Sequence, residues 1–136
     1  MKSTLAAGLS HTCRYEVDKG RTISFMGEDT RVYSTPALLY DIEVTCRNLL
    51  LQHSDEGEDS VGTRIEMDHT APTVLGQWVD VTVTIAEVKG RAVTFEVSAR
   101  DALDAICTGK HSRFVVGVEQ TRGRLLGKAE KAKAAS

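Results

Sequence analysis

The sequence predicts an α+β fold in which one long helix packs on an antiparallel sheet. Three observations carry this. Between Pro36 and Gln52 the apolar residues recur at helical spacing. After it, apolar and polar residues alternate with a period of two, the mark of strands with one wet face. Lys89-Gly90 joins two of these alternating segments as a hairpin signal. A single apolar helix stripe and a single apolar sheet face can bury each other.

Each element can be justified in chain order. His11–Asp18 and Thr22–Met26 are short mixed segments joined at Lys19-Gly20, and they read as two strands or edges. Thr35 suits a helix N-cap, and Pro36 fits the first helical position, where no N–H is needed. Leu38, Leu39, Ile42, Cys46, Leu49 and Leu50 then form the helix stripe. The acidic loop Ser54–Asp59 ends the helix. In Val61–His69 the odd positions Val61, Thr63, Ile65, Met67 and His69 share one face, and Arg64, Glu66 and Asp68 share the other. Val79, Val81, Val83 and Ile85 form the inward set of the next strand, and Val93, Phe95, Val97 and Ala99 that of the one after. Ala105–Val116 is a fourth long strand, entered through Arg100–Asp104.

The bulk numbers exclude several classes. At 136 residues, with 41% hydrophobic and 26% charged, the chain suits one domain with one core. We expect that domain over residues 1–127. The Lys/Ala-rich piece 128–136 is expected to be a solvated, flexible tail. A net charge of -2 leaves no electrostatic footprint for nucleic acid. No segment approaches the ~18 apolar residues of a membrane span, and Met1–Ser10 lacks the apolar centre of a signal peptide. The expectation is a cytoplasmic protein with neither membrane nor nucleic-acid partner. Cys13, Cys46 and Cys107 are odd in number and widely spaced, with no CxxC, so they read as free packing thiols. The histidines show no HxxxH or HxH spacing, and no Walker, GxGxxG or GxSxG motif occurs. No metal and no cofactor is therefore expected.

Five residues stand out as candidates. Glu43 lies at the rim of the helix stripe, where a carboxylate either snorkels to water or faces the sheet. His69 ends an inward alternation just before Pro72, as a packed rim histidine or as a base oriented by a carboxylate. Thr35 either caps the helix alone or also serves a helix N-terminus that can stabilise an oxyanion. Arg113 is a solvated strand arginine or a partner for Glu43 or a substrate anion. Gly76 serves a turn or a close backbone approach to substrate. Thr35 and Glu43 stand eight residues apart, roughly 12 Å along one helix, so they cannot touch directly. Either substrate bridges them or a second subunit supplies one of them.

Several stretches together resemble the fluoroacetyl-CoA thioesterase family of hot-dog proteins. They are Ser34-Thr35-Pro36 with Glu43, Glu66-Met67-Asp68-His69-Thr70-Ala71-Pro72-Thr73, and Thr94–Asp104 leading to His111-Ser112-Arg113. The resemblance implies Thr35, Glu43 and His69 as the reactive set. It further implies Arg113 as a supporting arginine and Gly76 as a backbone contact to substrate. A hot-dog fold and a homodimer or higher oligomer, with sites at the subunit interface, are also implied. There is one departure. The family's lid between the second strand and the helix carries gating phenylalanines, whereas Gly27–Ser34 is several residues shorter and contains no Phe. The expected function is hydrolysis of a short- or medium-chain acyl-CoA. A non-catalytic acyl-CoA binding or sensing module and an enoyl-CoA hydratase are the alternatives.

Overall fold

The predicted helix begins one residue earlier than expected. The computed structural model describes residues 1–136, and in it α1 runs Thr35–Leu51. Ser34, not Thr35, is the N-cap: its hydroxyl accepts from the Ala37 N–H at 3.2 Å. Either residue type can cap. The extended backbone of Ser34 gives it the role, and Thr35 and Pro36 become the first helical positions. This frees the Thr35 hydroxyl for other contacts.

The strands are β1 (Ser10–Glu16), β2 (Thr22–Ile23), β3 (Val32–Tyr33), β4 (Glu58–His69), β5 (Trp78–Lys89), β6 (Ala92–Arg100) and β7 (Ala105–Gly117). Five form one antiparallel sheet in the order β1-β5-β6-β7-β4, and β2 pairs only with β3. The second expected strand stops at Ile23, because the chain turns where the Gly27 N–H donates to the Ser24 carbonyl and then enters a 3-10 turn at Glu28–Thr30. Gly90 turns the β5–β6 hairpin at φ 61°, a conformation that favours glycine.

The core forms where α1 crosses the sheet. Leu38, Ile42, Cys46, Leu49 and Leu50 meet Val79, Val81, Val83, Ile85, Val93, Phe95, Val97 and Ala99, all buried. Both inward strand sets are therefore as the alternation predicts. Asp41 and Thr45 are also buried on this helix face, and Leu39 lies partly outside it. Asp41 is satisfied there by the Tyr33 hydroxyl and by the Arg21 guanidinium, as a buried carboxylate must be. Cys46 and Cys107 pack as small apolar groups, and all three cysteines are free thiols.

Strand β4 departs from simple alternation. Its pairing with β7 slips between Gly62 and Arg64, where a β-bulge inserts one residue. Before the bulge the even positions point inward: Ser60 is buried and Val61 is 42% exposed. After it the odd positions do, and Ile65 and Met67 pack on the core. Val61 and Thr63 are thus not on the inner face as expected. Ile65, Met67 and His69 are. The other side of β4 has no strand beside it.

The chain ends in a second helix, α2 (Val118–Ala135), which extends through the Lys/Ala-rich tail. It buries no residue, and Leu125 and Leu126 face solvent. Its low apolar content explains why no stripe announced it. No helix is long and apolar enough to cross a membrane.

Candidate active site

The end of β4 faces the start of α1. Pro72 stops the strand just past His69, and the capped helix start holds Thr35 opposite. The Thr35 hydroxyl lies 2.9 Å from His69 Nδ1. Tyr33 packs its ring edge-on against the imidazole, with centroids 6.4 Å apart. Burial pulls the His69 pKa below its ordinary value, opposed by the Ala71 backbone carbonyl. A neutral imidazole can accept from the Thr35 hydroxyl or, as the other tautomer, donate to it. Its Nε2 is buried and has no hydrogen-bond partner within the chain. Thr35 and His69 open into a recess of about 300 Å³ whose wall includes Ile23, Val32, Ala71 and Pro72. The expected helix N-terminal anion site is reduced here. Pro36 has no N–H, and Ser34 occupies those of Ala37 and Leu38. The Thr35 N–H is what remains in that turn.

A second cluster lies two turns further along α1. Glu43, 40% exposed, points over Gly62, with Oε2 3.9 Å from Arg113 Nη1. Arg113 is only 4% exposed, so it is not a solvated strand arginine. Its Nε donates to Ser60 Oγ at 2.7 Å and its Nη2 to the Ser60 carbonyl at 2.8 Å. His111, 2% exposed, stacks on Phe95 and accepts the third guanidinium contact at Nε2, 3.2 Å from Nη1. Burial draws the Arg113 pKa down, and Glu43 opposes that shift. A β-carbon at Gly62 would lie 2.9 Å from Glu43 Oε1 and 3.2 Å from His111 Cε1, so glycine keeps this space open. Glu43, Gly62 and His111 line a recess of about 380 Å³.

The structure thus joins Thr35 to His69 and Glu43 to Arg113, but does not join the two pairs. The recesses share no lining residue. Within one chain Glu43 does not orient His69, because the helix rise separates Glu43 from Thr35 by roughly 12 Å. Gly76 belongs to neither recess. It turns the chain at φ 92° and its N–H donates to the Val17 carbonyl, so that N–H is not free for substrate. Sequence reasoning missed Gly62 and His111 as members of the site. The available signal was a glycine interrupting an otherwise regular strand, which often marks a bulge or a close approach.

The family model for fluoroacetyl-CoA-specific thioesterases matches residues 17–119. The chain belongs to that family. It is 30% identical over 132 residues to the fluoroacetyl-CoA thioesterase of Streptantibioticus cattleyicolor, covering 92% of this chain and 95% of that protein. A solved structure of the fluoroacetyl-CoA thioesterase FlK superposes with a TM-score of 0.85 at 29% identity, over 93% of this chain and 98% of that one. A Thermus thermophilus member of the thioesterase superfamily gives a TM-score of 0.88 at 23% identity, over 97% and 98% of the two chains, a likeness of fold. The architecture is therefore the hot-dog fold, and the protein is a thioesterase.

Proposed function

We propose that this thioesterase hydrolyses a short- or medium-chain acyl-CoA as a homodimer, at sites each assembled from two subunits. One subunit supplies Thr35 and His69, and its partner supplies Glu43 and Arg113. The observation that carries this reading is the division of one family set into two recesses along a single helix, one holding the 2.9 Å Thr35–His69 pair.

A specific pairing would close the gap. The free edge of β4 is a long unpaired strand edge, which sheets normally cover. If it pairs antiparallel with its own copy about a two-fold axis through Glu66, with Thr63 again the unpaired bulge residue, His69 comes opposite Gly62 of the partner subunit. That would carry the Thr35–His69 pair to the Glu43–Arg113 cluster. Tyr40 and Leu51, exposed on α1, and Val61 on β4 lie on the elements this pairing would bring together.

The chemistry then follows from the groups. Water attacks the thioester carbon and gives its proton to the Glu43 carboxylate, which Arg113 orients. Thr35 Oγ1 and the Thr35 N–H stabilise the oxyanion of the tetrahedral intermediate. The carbon–sulfur bond breaks, and the departing thiolate of CoA takes that proton from Glu43, leaving the free acid and restoring the carboxylate. His69 donates its Nδ1–H to Thr35 Oγ1, which turns the single hydroxyl proton of Thr35 toward the oxyanion. The shortened Gly27–Ser34 segment lacks the family's phenylalanine lid, which supports acyl groups other than fluoroacetyl. The test is thiol release over a panel of acyl-CoA chain lengths, with Glu43→Gln and His69→Ala as variants. Strong loss of kcat in both is expected. Wild-type turnover by either variant, in a folded dimer, sinks the assignment.

A further inference from the structure

His111 lies on β7, beneath Gly62 and the Glu43 carboxylate, and the reaction above gives it no task. Its two ring nitrogens are both engaged. Nδ1 is 2.7 Å from the Arg64 backbone carbonyl, and Nε2 is 3.2 Å from Arg113 Nη1. A carbonyl oxygen can only accept, and a guanidinium can only donate. The proton must therefore sit on Nδ1, with the Nε2 lone pair facing Arg113. One tautomer satisfies both contacts, and the imidazolium satisfies only one.

We infer that His111 is a positioning residue, held as the neutral Nδ1–H tautomer, which aims Arg113 Nη1 at Glu43. The inference rests on the reading of Glu43 and Arg113 as parts of the thioesterase site. With Nε and Nη2 anchored on Ser60, His111 fixes the remaining arm of the guanidinium. Glu43 is the carboxylate facing that arm, 3.9 Å away. The charged groups around the ring are Arg113 from its own strand and Glu43 from α1; from β6 comes the apolar Phe95, and from β4 only the Arg64 carbonyl. Protonating His111 would set a second cation against Arg113 and remove the acceptor that holds Nη1. Burial, the leading influence, also disfavours that form.

Two measurements test this. The first is nitrogen NMR on histidine-labelled protein near neutral pH, with His111 assigned by comparison with His111→Gln. A protonated Nδ1 and a bare Nε2 are expected. An Nε2–H tautomer or an imidazolium overturns the inference, whatever the activity. The second compares His111→Leu, which can make neither contact, with His111→Gln, which offers one donor and one acceptor and cannot titrate. The Leu variant is expected to lose about tenfold to a hundredfold in kcat, the effect of removing a hydrogen bond to a charged group. The Gln variant should recover at least half of that loss on a logarithmic scale. Equal loss in both, or wild-type kcat in the Leu variant, overturns the positioning role. Glu43→Gln is the control for the underlying reading. If it turns over like wild type while the NMR is as expected, the assignment of Glu43 falls and the tautomer lock on Arg113 stands.

Discussion

Mixing two inactive variants should restore activity if each site draws on both subunits. The pair to mix is Glu43→Gln and His69→Ala. Thr35 and Glu43 are eight residues apart on α1, about 12 Å at the rise of an α-helix. Their recesses have no wall in common. In a heterodimer, one composite site combines His69 from the Glu43→Gln subunit with Glu43 from the other. The second composite site carries both lesions. Random exchange of equal amounts makes about half the dimers mixed, each with one intact site of two, so about a quarter of wild-type activity should return. The assay is thiol release before and after subunit exchange, with mixing verified by differently tagged chains. No recovery in verified heterodimers would refute the shared-site argument and return all the chemistry to a single chain.

Three other predictions follow from particular contacts. Gly62→Ala places a β-carbon 2.9 Å from Glu43 Oε1. The carboxylate is the end of a flexible side chain and should move, so kcat/KM should fall about tenfold or more, with little change in Tm; unchanged kinetics would show that the Glu43 position is unimportant. Ser34→Ala removes the true helix cap and should cost about 1 kcal/mol of stability, while Thr35→Ala should cost activity instead, so equal Tm losses would contradict the assignment of the cap. Burial lowers the pKa of both His69 and His111 in the folded chain. Below about pH 6.5 the unfolded chain binds protons that the folded chain refuses, so stability should fall as pH drops from there toward the folded values. Urea midpoints that stay level between about pH 7.5 and pH 5.5 would contradict this.

Much of the architecture was legible because hydrophobic period is a direct record of burial. Val79–Ile85 and Val93–Ala99 point as their alternation says, and α1 differs from expectation by one residue at each end. The bulge in β4 was not legible. Inserting one residue leaves a sequence that looks regular from Val61, while its first residues face the other way. Arg113 and His111 were obscured for a related reason. Their inward positions are polar, so no apolar alternation marks them, and only their contacts with Ser60 and Arg64 make burial tolerable. The Thr35–His69 contact joins residues 34 positions apart. Local physics placed each at an element end, and the family intervals, rather than either residue alone, brought them together. Gly76 is the converse case, a glycine whose positive φ serves a turn.

The bulge between Gly62 and Arg64 also constrains how this protein can diverge. Ser60 and His69 both face inward, but they belong to opposite parities of one strand, and the extra residue reconciles them. Deleting Thr63 would turn either the Arg113 anchor or His69 to the wrong side. Outward side chains of β4 such as Arg64 and Asp68 can change with little consequence. The number of residues between Ser60 and His69 cannot. Across descendants of this gene, those outward positions should accumulate substitutions freely, and the length of the segment should hardly change.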